Sequence, residues 1–492
     1  MDMRLKNFFA QIFLSIFCVT AVVGCAERGV EPLNTPSSSD EKAVAAFKPP
    51  VAQRWKTANG IEVLYYKDAE LPMVYGTLYM RGGSLWEPVD HPGLVEAMGN
   101  MMRAGGAGSL SADELDKELE KLSASVSSSI GSEYGSVSFD CLAPDFARVF
   151  GIASDVLLKP RFEDSRIALW KGQEIDGIRR RTDDPWTVAG ISFSQLLYDH
   201  TVYGEPTVQK DIEWIDRAKL LKAHDEFIRP DGALLVVTGD VNRADVERLV
   251  NEKLGGWKPR GHSLGPVPPV NFKPTPGIYF VSLPLTQASV YIGEQGVPRL
   301  TPDYAAIDGF NQVFGGGGFG SRLIKKVRAE LGLVYGIYGG ISAGPVKGKN
   351  FIAFQTKGET AGEAIRRSID ELVRLRNETM PVDELAEVQH AVSNSFIFRF
   401  DSPEKAIGRT ATLELLGYPK NYDATYLNKI RALTPADIQS VARRRWNLKD
   451  FVIVVVGNEN AYSSVMELMK NPPPYLKGVK VRRMEFNQKL KL

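Results

Sequence analysis

At 492 residues the chain is too long for one ordinary domain, and its length suggests about three. Its composition is that of a globular protein, 43% hydrophobic and 24% charged. With 60 basic against 59 acidic residues the formal charge is +1, so there is no electrostatic case for nucleic acid as a partner.

The first 24 residues read as a secretory signal. Arg4 and Lys6 precede the apolar stretch "FFAQIFLSIFCVTAVVG", and a small residue, Gly24, precedes Cys25. The segment "VVGC" resembles the lipobox of bacterial lipoproteins, in which cleavage exposes a cysteine that becomes lipid-modified, here Cys25. Ala26 in the next position resembles outer-membrane sorting in Gram-negative bacteria. That resemblance implies an outer-membrane lipoprotein facing the periplasm, attached to the membrane through lipid. An uncleaved single-pass anchor is the alternative, because the stretch is nearly long enough to span a bilayer. Without the signal, Cys141 is the only cysteine besides Cys25, and no intramolecular disulfide framework can form.

Residues 25–50, with "NTPSSSDEK" and "KPP", read as a flexible tether. A first globular unit follows over 51–258, then a Pro/Gly-rich linker over 259–276. A second unit occupies 277–472, and "NPPPYLKG" opens a basic tail over 473–492. The two units look like copies. When "RAKLLKAHDEFIRPDGALLVVTGD" is set on "PADIQSVARRRWNLKDFVIVVVGN" without a gap, Ala218 meets Ala436, Leu220 meets Ile438, and Gly239 meets Gly457. In both, a helix-spaced segment turns into a short apolar run that ends in glycine, as a strand would. Strand patterns open each unit, "NGIEVLYY" and "MVYGTLYMRGG" in the first, "GIYFVSL" and "ASVYIGEQG" in the second. Asn59-Gly60 is a hairpin dipeptide. Helix patterns fill the middles, so each unit is α+β.

The stretch "FGGGGFGSRLIKKVRAELGLVY", residues 314–335, places Gly315, Gly316, Gly317 and Gly318 before a basic, helix-patterned segment. Gly315, Gly317 and Gly320 fit G-x-G-x-x-G, but a dinucleotide site needs a strand before the motif and an acid about twenty residues after it. "DYAAIDGFNQVF" has helical spacing, and Gly339 and Gly340 stand where the acid belongs. Ser321 and Arg322 likewise break the P-loop pattern.

A duplicated α+β unit of this size resembles the insulinase/pitrilysin-type metallopeptidases, which include the mitochondrial processing peptidase. The resemblance covers nearly the whole mature chain. It implies two homologous units, each an antiparallel sheet with helices packed on it, which together form a clam-like half-chamber. The family's first unit carries H-x-x-E-H on a helix: two histidines at i and i+4 converge on zinc, and the glutamate between them acts as base on the metal-bound water. The matching segment here is "RGGSLWEPVDHPGLVEAMGNMMRAGG", with Glu87, Gly93 and Gly105 in familiar places. It puts Glu96 at the first histidine, Gly99 at the catalytic glutamate and Asn100 at the second histidine. His91 stands five residues too early. The third ligand of the family corresponds to Glu174 in "LWKGQEIDGIRRRTDDP", an isolated remnant that cannot hold zinc alone. His200, His224, His262 and His390 stand far apart, so the chain is expected to hold no cofactor of its own.

In the family's second unit a glycine-rich stretch leads into a helix bearing arginine and then G-L-x-Y. "RAELGLVY" supplies Arg328 and Tyr335 at the same spacing. The resemblance implies that this pair, with the four glycines beside it, binds the backbone of a peptide or unfolded protein. A guanidinium and a phenol offer donors to peptide carbonyls or to an oxyanion, and glycines admit a close backbone approach. A plain mobile loop is the alternative for the glycines. The expectation is therefore a chain inactive alone, the non-catalytic subunit of a two-chain peptidase whose homologous partner holds zinc on H-x-x-E-H. The alternative is a non-proteolytic peptide-binding or scaffold lipoprotein of the same fold.

Overall fold

Two six-stranded sheets are built on one plan. The computed structural model describes residues 49–259 and 264–486. The signal, Cys25, nearly all of the tether, His262 and the end of the tail lie outside the described residues. The first sheet comprises β1 (Gln53–Lys56), β2 (Glu62–Lys67), β3 (Met73–Arg81), β4 (Ser125–Ile130), β5 (Tyr134–Leu142) and β6 (Leu234–Gly239). The second comprises β7 (Gly277–Ser282), β8 (Gln287–Gln295), β9 (Val334–Ser342), β10 (Lys349–Lys357), β11 (Val452–Gly457) and β12 (Val481–Met484). Their orders are β1-β2-β6-β3-β5-β4 and β12-β7-β11-β8-β10-β9, so β2 to β6 map one for one onto β7 to β11.

Local sequence explains the strands. β3 alternates, with Val74, Leu78 and Met80 buried between the half-buried Tyr75, Thr77 and Tyr79. The Asn59-Gly60 turn closes the antiparallel hairpin of β1 and β2, with Gly60 at φ +97°. The sheets are mixed rather than purely antiparallel. β2 runs parallel to β6 and β7 parallel to β11, because the chain returns to each sheet only after a long helical excursion.

That excursion repeats in register. The helices Asp164–Arg179, Pro185–Tyr198 and Arg217–Phe227 and strand β6 each begin 218 residues before Val382–Phe396, Pro403–Leu415, Pro435–Arg445 and β11. The middle helix of each set packs on the other half's sheet. Pro185–Tyr198 lies on β8 and β11, where Phe193, Leu196 and Leu197 are buried with Val452, Val454 and Val456. Pro403–Leu415 lies on β3 and β6, where Ile407 and Ala411 are buried with Leu64, Leu234 and Val236. This exchange explains why β6 and β11 are buried throughout, since each has helices on both faces. Fully burying one such aliphatic side chain stabilises by about 1.5–3 kcal/mol. The exchange therefore ties the halves into one compact body.

The ends of the second unit differ from the sequence reading. The region read as a basic tail adds β12, parallel to β7, and buries Leu476. Val481 and Met484 make it a short edge strand despite the arginines between them. The described part of the linker is packed as well: Val270 is buried, and Gln295 Nε2 donates to the Phe272 carbonyl at 3.0 Å.

Candidate functional site

The helix Leu94–Ala104 carries Glu96, Gly99 and Asn100, the positions that the resemblance sets against the zinc motif. Leu94, Val95, Ala97, Met98, Met101 and Met102 are buried, so Glu96, Asn100 and Arg103 are left as its outward stripe. Gly93, at φ +94°, has no side chain with which to cap the helix. Glu87 does that work from outside: its Oε1 accepts from the Gly93 N–H at 2.8 Å and its Oε2 from the Val95 N–H at 3.0 Å. Burial pushes the Glu87 carboxyl up to about 7, the two N–H groups pull it down, and Glu96 adds a further push upward.

Gly99, which the resemblance sets against the catalytic glutamate, is closed to any side chain. A Cβ there would lie 2.6 Å from the Ile130 backbone nitrogen and 2.8 Å from Ile130 Cγ1. Ser128 fixes the contact. Its hydroxyl donates to the Gly99 carbonyl at 2.6 Å and accepts from the Arg103 N–H at 3.1 Å, bridging a donor and an acceptor one helical turn apart. Arg103 also donates from Nε to the Val126 carbonyl at 3.0 Å. Helix and edge strand are thus drawn together where the family places its base.

The remnant carboxylates do come near one another. The Glu96 carboxyl lies above its ordinary range, first because the surrounding chain desolvates it and then because Glu174 is close. Burial holds the Arg181 guanidinium below its usual range, with Glu174 acting in the opposite sense. Both glutamates are exposed residues. The zinc implied by the fold does not fit this set. Among the described residues, the one group of three carboxylate or imidazole donors within 4.8 Å of each other is Asp199, His200 and Glu205, on a different loop. His91 is stacked on Trp214 at 3.8 Å with planes 3° apart, and His224 Nε2 contacts the Leu157 carbonyl at 2.7 Å.

The glycine run in the second half repeats the theme of helix against edge strand. The helix Tyr304–Asn311 continues as a π-helical turn over Gln312–Gly316. A Cβ on Gly315 would lie 2.5 Å from the nitrogen of Gly339, on edge strand β9. Asn311 pairs with the same strand: Nδ2 donates to the Ile341 carbonyl at 3.0 Å, and Oδ1 accepts from the Ile341 N–H at 2.7 Å. Gly318 adopts φ +59° where the chain leaves the turn. Gly315 sets backbone packing against β9, a role the sequence reading did not assign it.

Arg328 lies half-buried on the π-helical segment Ile324–Glu330. Its carbonyl accepts from the Gly332 N–H at 3.1 Å, and Gly332, at φ +61°, turns the chain into β9. On β9, Gly336 pairs with Gln355 and Val334 with Thr356, so Tyr335 is the extra residue of a β-bulge. Its side chain is 86% exposed, and Tyr338, three residues on, is 59% exposed. A phenol this open is aimed outward by the bulge and uncovered by the protein's own packing. Arg322 anchors the segment through a bidentate pair with Glu384 at 2.8 and 2.7 Å. Sequence reading missed Tyr338, although the repeat Tyr-Gly-Ile-Tyr was its signal. It also missed Ser128, which had none.

The duplicated α+β body, with a six-stranded sheet in each half, is the fold that the insulinase resemblance implied. The chain belongs to that family, peptidase family M16. The family model described as insulinase (peptidase family M16) matches residues 62–183, and that of the peptidase M16 inactive domain matches residues 215–392. A Helicobacter pylori protein named non-peptidase homolog YmxG is 22% identical over 409 residues, which is 81% of this chain and 92% of that protein. The solved structure of a peptidase M16 inactive domain from Pseudomonas fluorescens superimposes with a TM-score of 0.76 at 24% identity, covering 83% of this chain and 98% of that one. The periplasmic protease PqqL from Escherichia coli superimposes with a TM-score of 0.69 at 15% identity over 93% of this chain and 51% of its own length.

Proposed function

We propose that this chain is the peptide-positioning, non-catalytic subunit of a heteromeric zinc metalloendopeptidase of the cell envelope, held to the outer membrane through lipidated Cys25. Its partner is a homologous chain with intact H-x-x-E-H and the zinc, and the substrate is a peptide or unfolded protein. One observation carries the reading: Tyr335 projects from the β9 bulge with 86% of its surface free, while Gly99 leaves no room for a base. In this division the partner supplies metal and base, and Tyr335 and Arg328 offer donors to the peptide backbone or to the oxyanion formed on it. The second reading, a non-proteolytic peptide-binding or scaffold lipoprotein, is favoured by the name of the Helicobacter pylori relative.

Purification of the full chain from its native membrane tests the proposal. The expected result is a co-purifying homologue that bears H-x-x-E-H and accounts for the zinc, with peptide cleavage by the pair and none by this chain alone. One tightly held zinc per isolated chain, lost on Glu174→Ala, would overturn it.

A further inference from the structure

The helix exchange leaves a second feature, far along the chain from the altered motif. Where the helix Pro403–Leu415 begins against the first sheet, a pocket of about 280 Å³ opens between the two halves. Asp68 and Glu70, from the turn after β2, form one side, and Asp401 and Glu404, from the helix start, form the other. Thr238, on β6, lines the pocket and is only 2% exposed. It shares the β6 face of Leu234 and Val236, which meets the exchanged helix. Its Oγ1 has no hydrogen-bond partner among the described residues. Buried hydroxyls are nearly always paired, so an unpaired one at the base of a polar pocket points to a ligand.

The ligand's chemistry follows from the walls. Of the four carboxylates, Asp401 is paired with Lys405 at 2.7 Å. Glu70 N–H donates to Asp68 Oδ1 at 3.1 Å, which leaves most of that carboxylate's acceptor capacity open. The helix N-terminus is already capped, since Ser402 Oγ accepts from the Lys405 N–H at 3.2 Å, so it does not call for an anion. No three of the carboxylates bring oxygens within 4.8 Å of each other, which is too open for one metal ion. We propose that this pocket binds an organic cation, a guanidinium or primary ammonium group on a slender stem, with Thr238 as acceptor at its base and Glu404, Glu70 and Asp68 around its mouth. The Glu404 carboxyl is raised by burial and by Asp140, with Lys405 opposing, a state that an entering cation relieves. The volume, about 280 Å³, lies just below the usual range of ligand sites, which begins at about 300 Å³, and suits a small group on a slender stem. The proposal does not depend on any proteolytic role.

Titration calorimetry of the full chain at low salt tests it, with agmatine as the free cation and N-acetyl-arginine amide as the peptide-borne one. Saturable binding of agmatine alone identifies a free amine as the ligand, and binding of both identifies a basic side chain. Either outcome requires that Glu404→Gln weaken binding about tenfold and Thr238→Val several-fold. Pentanamide, the uncharged control, should give no heat. Glu70→Gln, at an exposed residue, should weaken binding less than Glu404→Gln and serves as the variant least able to disturb folding. Thermal melts show whether each variant is folded. Absence of saturable binding, or equal affinity in wild type and all three folded variants, would overturn the proposal and leave solvent as the partner of Thr238.

Discussion

The helix that follows β3 and the helix that follows β8 occupy the same place in the two halves, and each presses a glycine against an edge strand. In the first half Gly99 meets Ile130 of β4, and Ser128 locks the contact. In the second Gly315 meets Gly339 of β9, and Asn311 locks it. The edges then diverge. β4 is the serine-rich segment Ser125–Ile130, whereas β9 carries two exposed tyrosines, one in a bulge. A duplicated fold can therefore keep its packing rule in both copies while the two edge strands present different side chains to solvent.

The largest expected effect comes from forcing a glutamate into the Gly99 contact of the first half. Gly99→Glu, alone or with histidines at positions 96 and 100, buries a charged side chain against the Ile130 backbone. It should cost more than about 4 kcal/mol, enough to leave little folded protein. A well-folded triple variant that binds zinc would show that the helix and β4 separate easily, and the comparison would break there.

Each half also has one buried carboxyl pushed up to about 7, Glu87 and Glu294. Because both are raised from 4.5, the folded state binds the extra protons. Their contribution to stability is fully present below the unfolded value and is lost as pH rises through about 7. The loss is on the order of 3 kcal/mol per carboxyl. Glu294 Oε1 accepts from both the Asn447 N–H at 2.8 Å and Asn350 Nδ2 at 3.1 Å, so Glu294→Gln keeps an oxygen for them. Melts between pH 5 and pH 8 should show that slope roughly halved in the variant, and an unchanged slope would remove Glu294 from the account.

A smaller effect separates the glycines of one loop. Gly315→Ala overpacks the contact with β9 and should cost about 1–3 kcal/mol. Gly320→Ala, where an added Cβ meets nothing within 4 Å, should stay within about 0.5 kcal/mol. Equal melting temperatures for the two would return the whole run to a simple mobile loop.

Much of this was legible in the sequence, for identifiable reasons. The gapless match of residues 217–240 with 435–458 reveals the duplication, because the Arg217–Phe227 and Pro435–Arg445 helices and the β6 and β11 strands keep one register. The continuous apolar runs of β6 and β11 are what strands covered on both faces require, although they do not say that the second cover comes from the other half. The closure at Gly99 was not legible, since it depends on Ser128 and Ile130 meeting the helix across a gap of about thirty residues. Nor was the bulge at Tyr335, which depends on the pairing of β9 with β10. The family resemblance singled out Arg328 and Tyr335, but which way the phenol faces is a property of the sheet.

The central claim is that the second half still holds peptide for a zinc site carried elsewhere, and Tyr335→Phe in a reconstituted, active two-chain complex tests it most directly. Only a hydroxyl on an exposed ring is removed, so assembly and melting temperature should not change. The account predicts a fall in kcat of about 10²–10³-fold with little change in KM, as for a donor aimed at the oxyanion. Kinetics indistinguishable from wild type, for this variant and for Arg328→Ala, would contradict it.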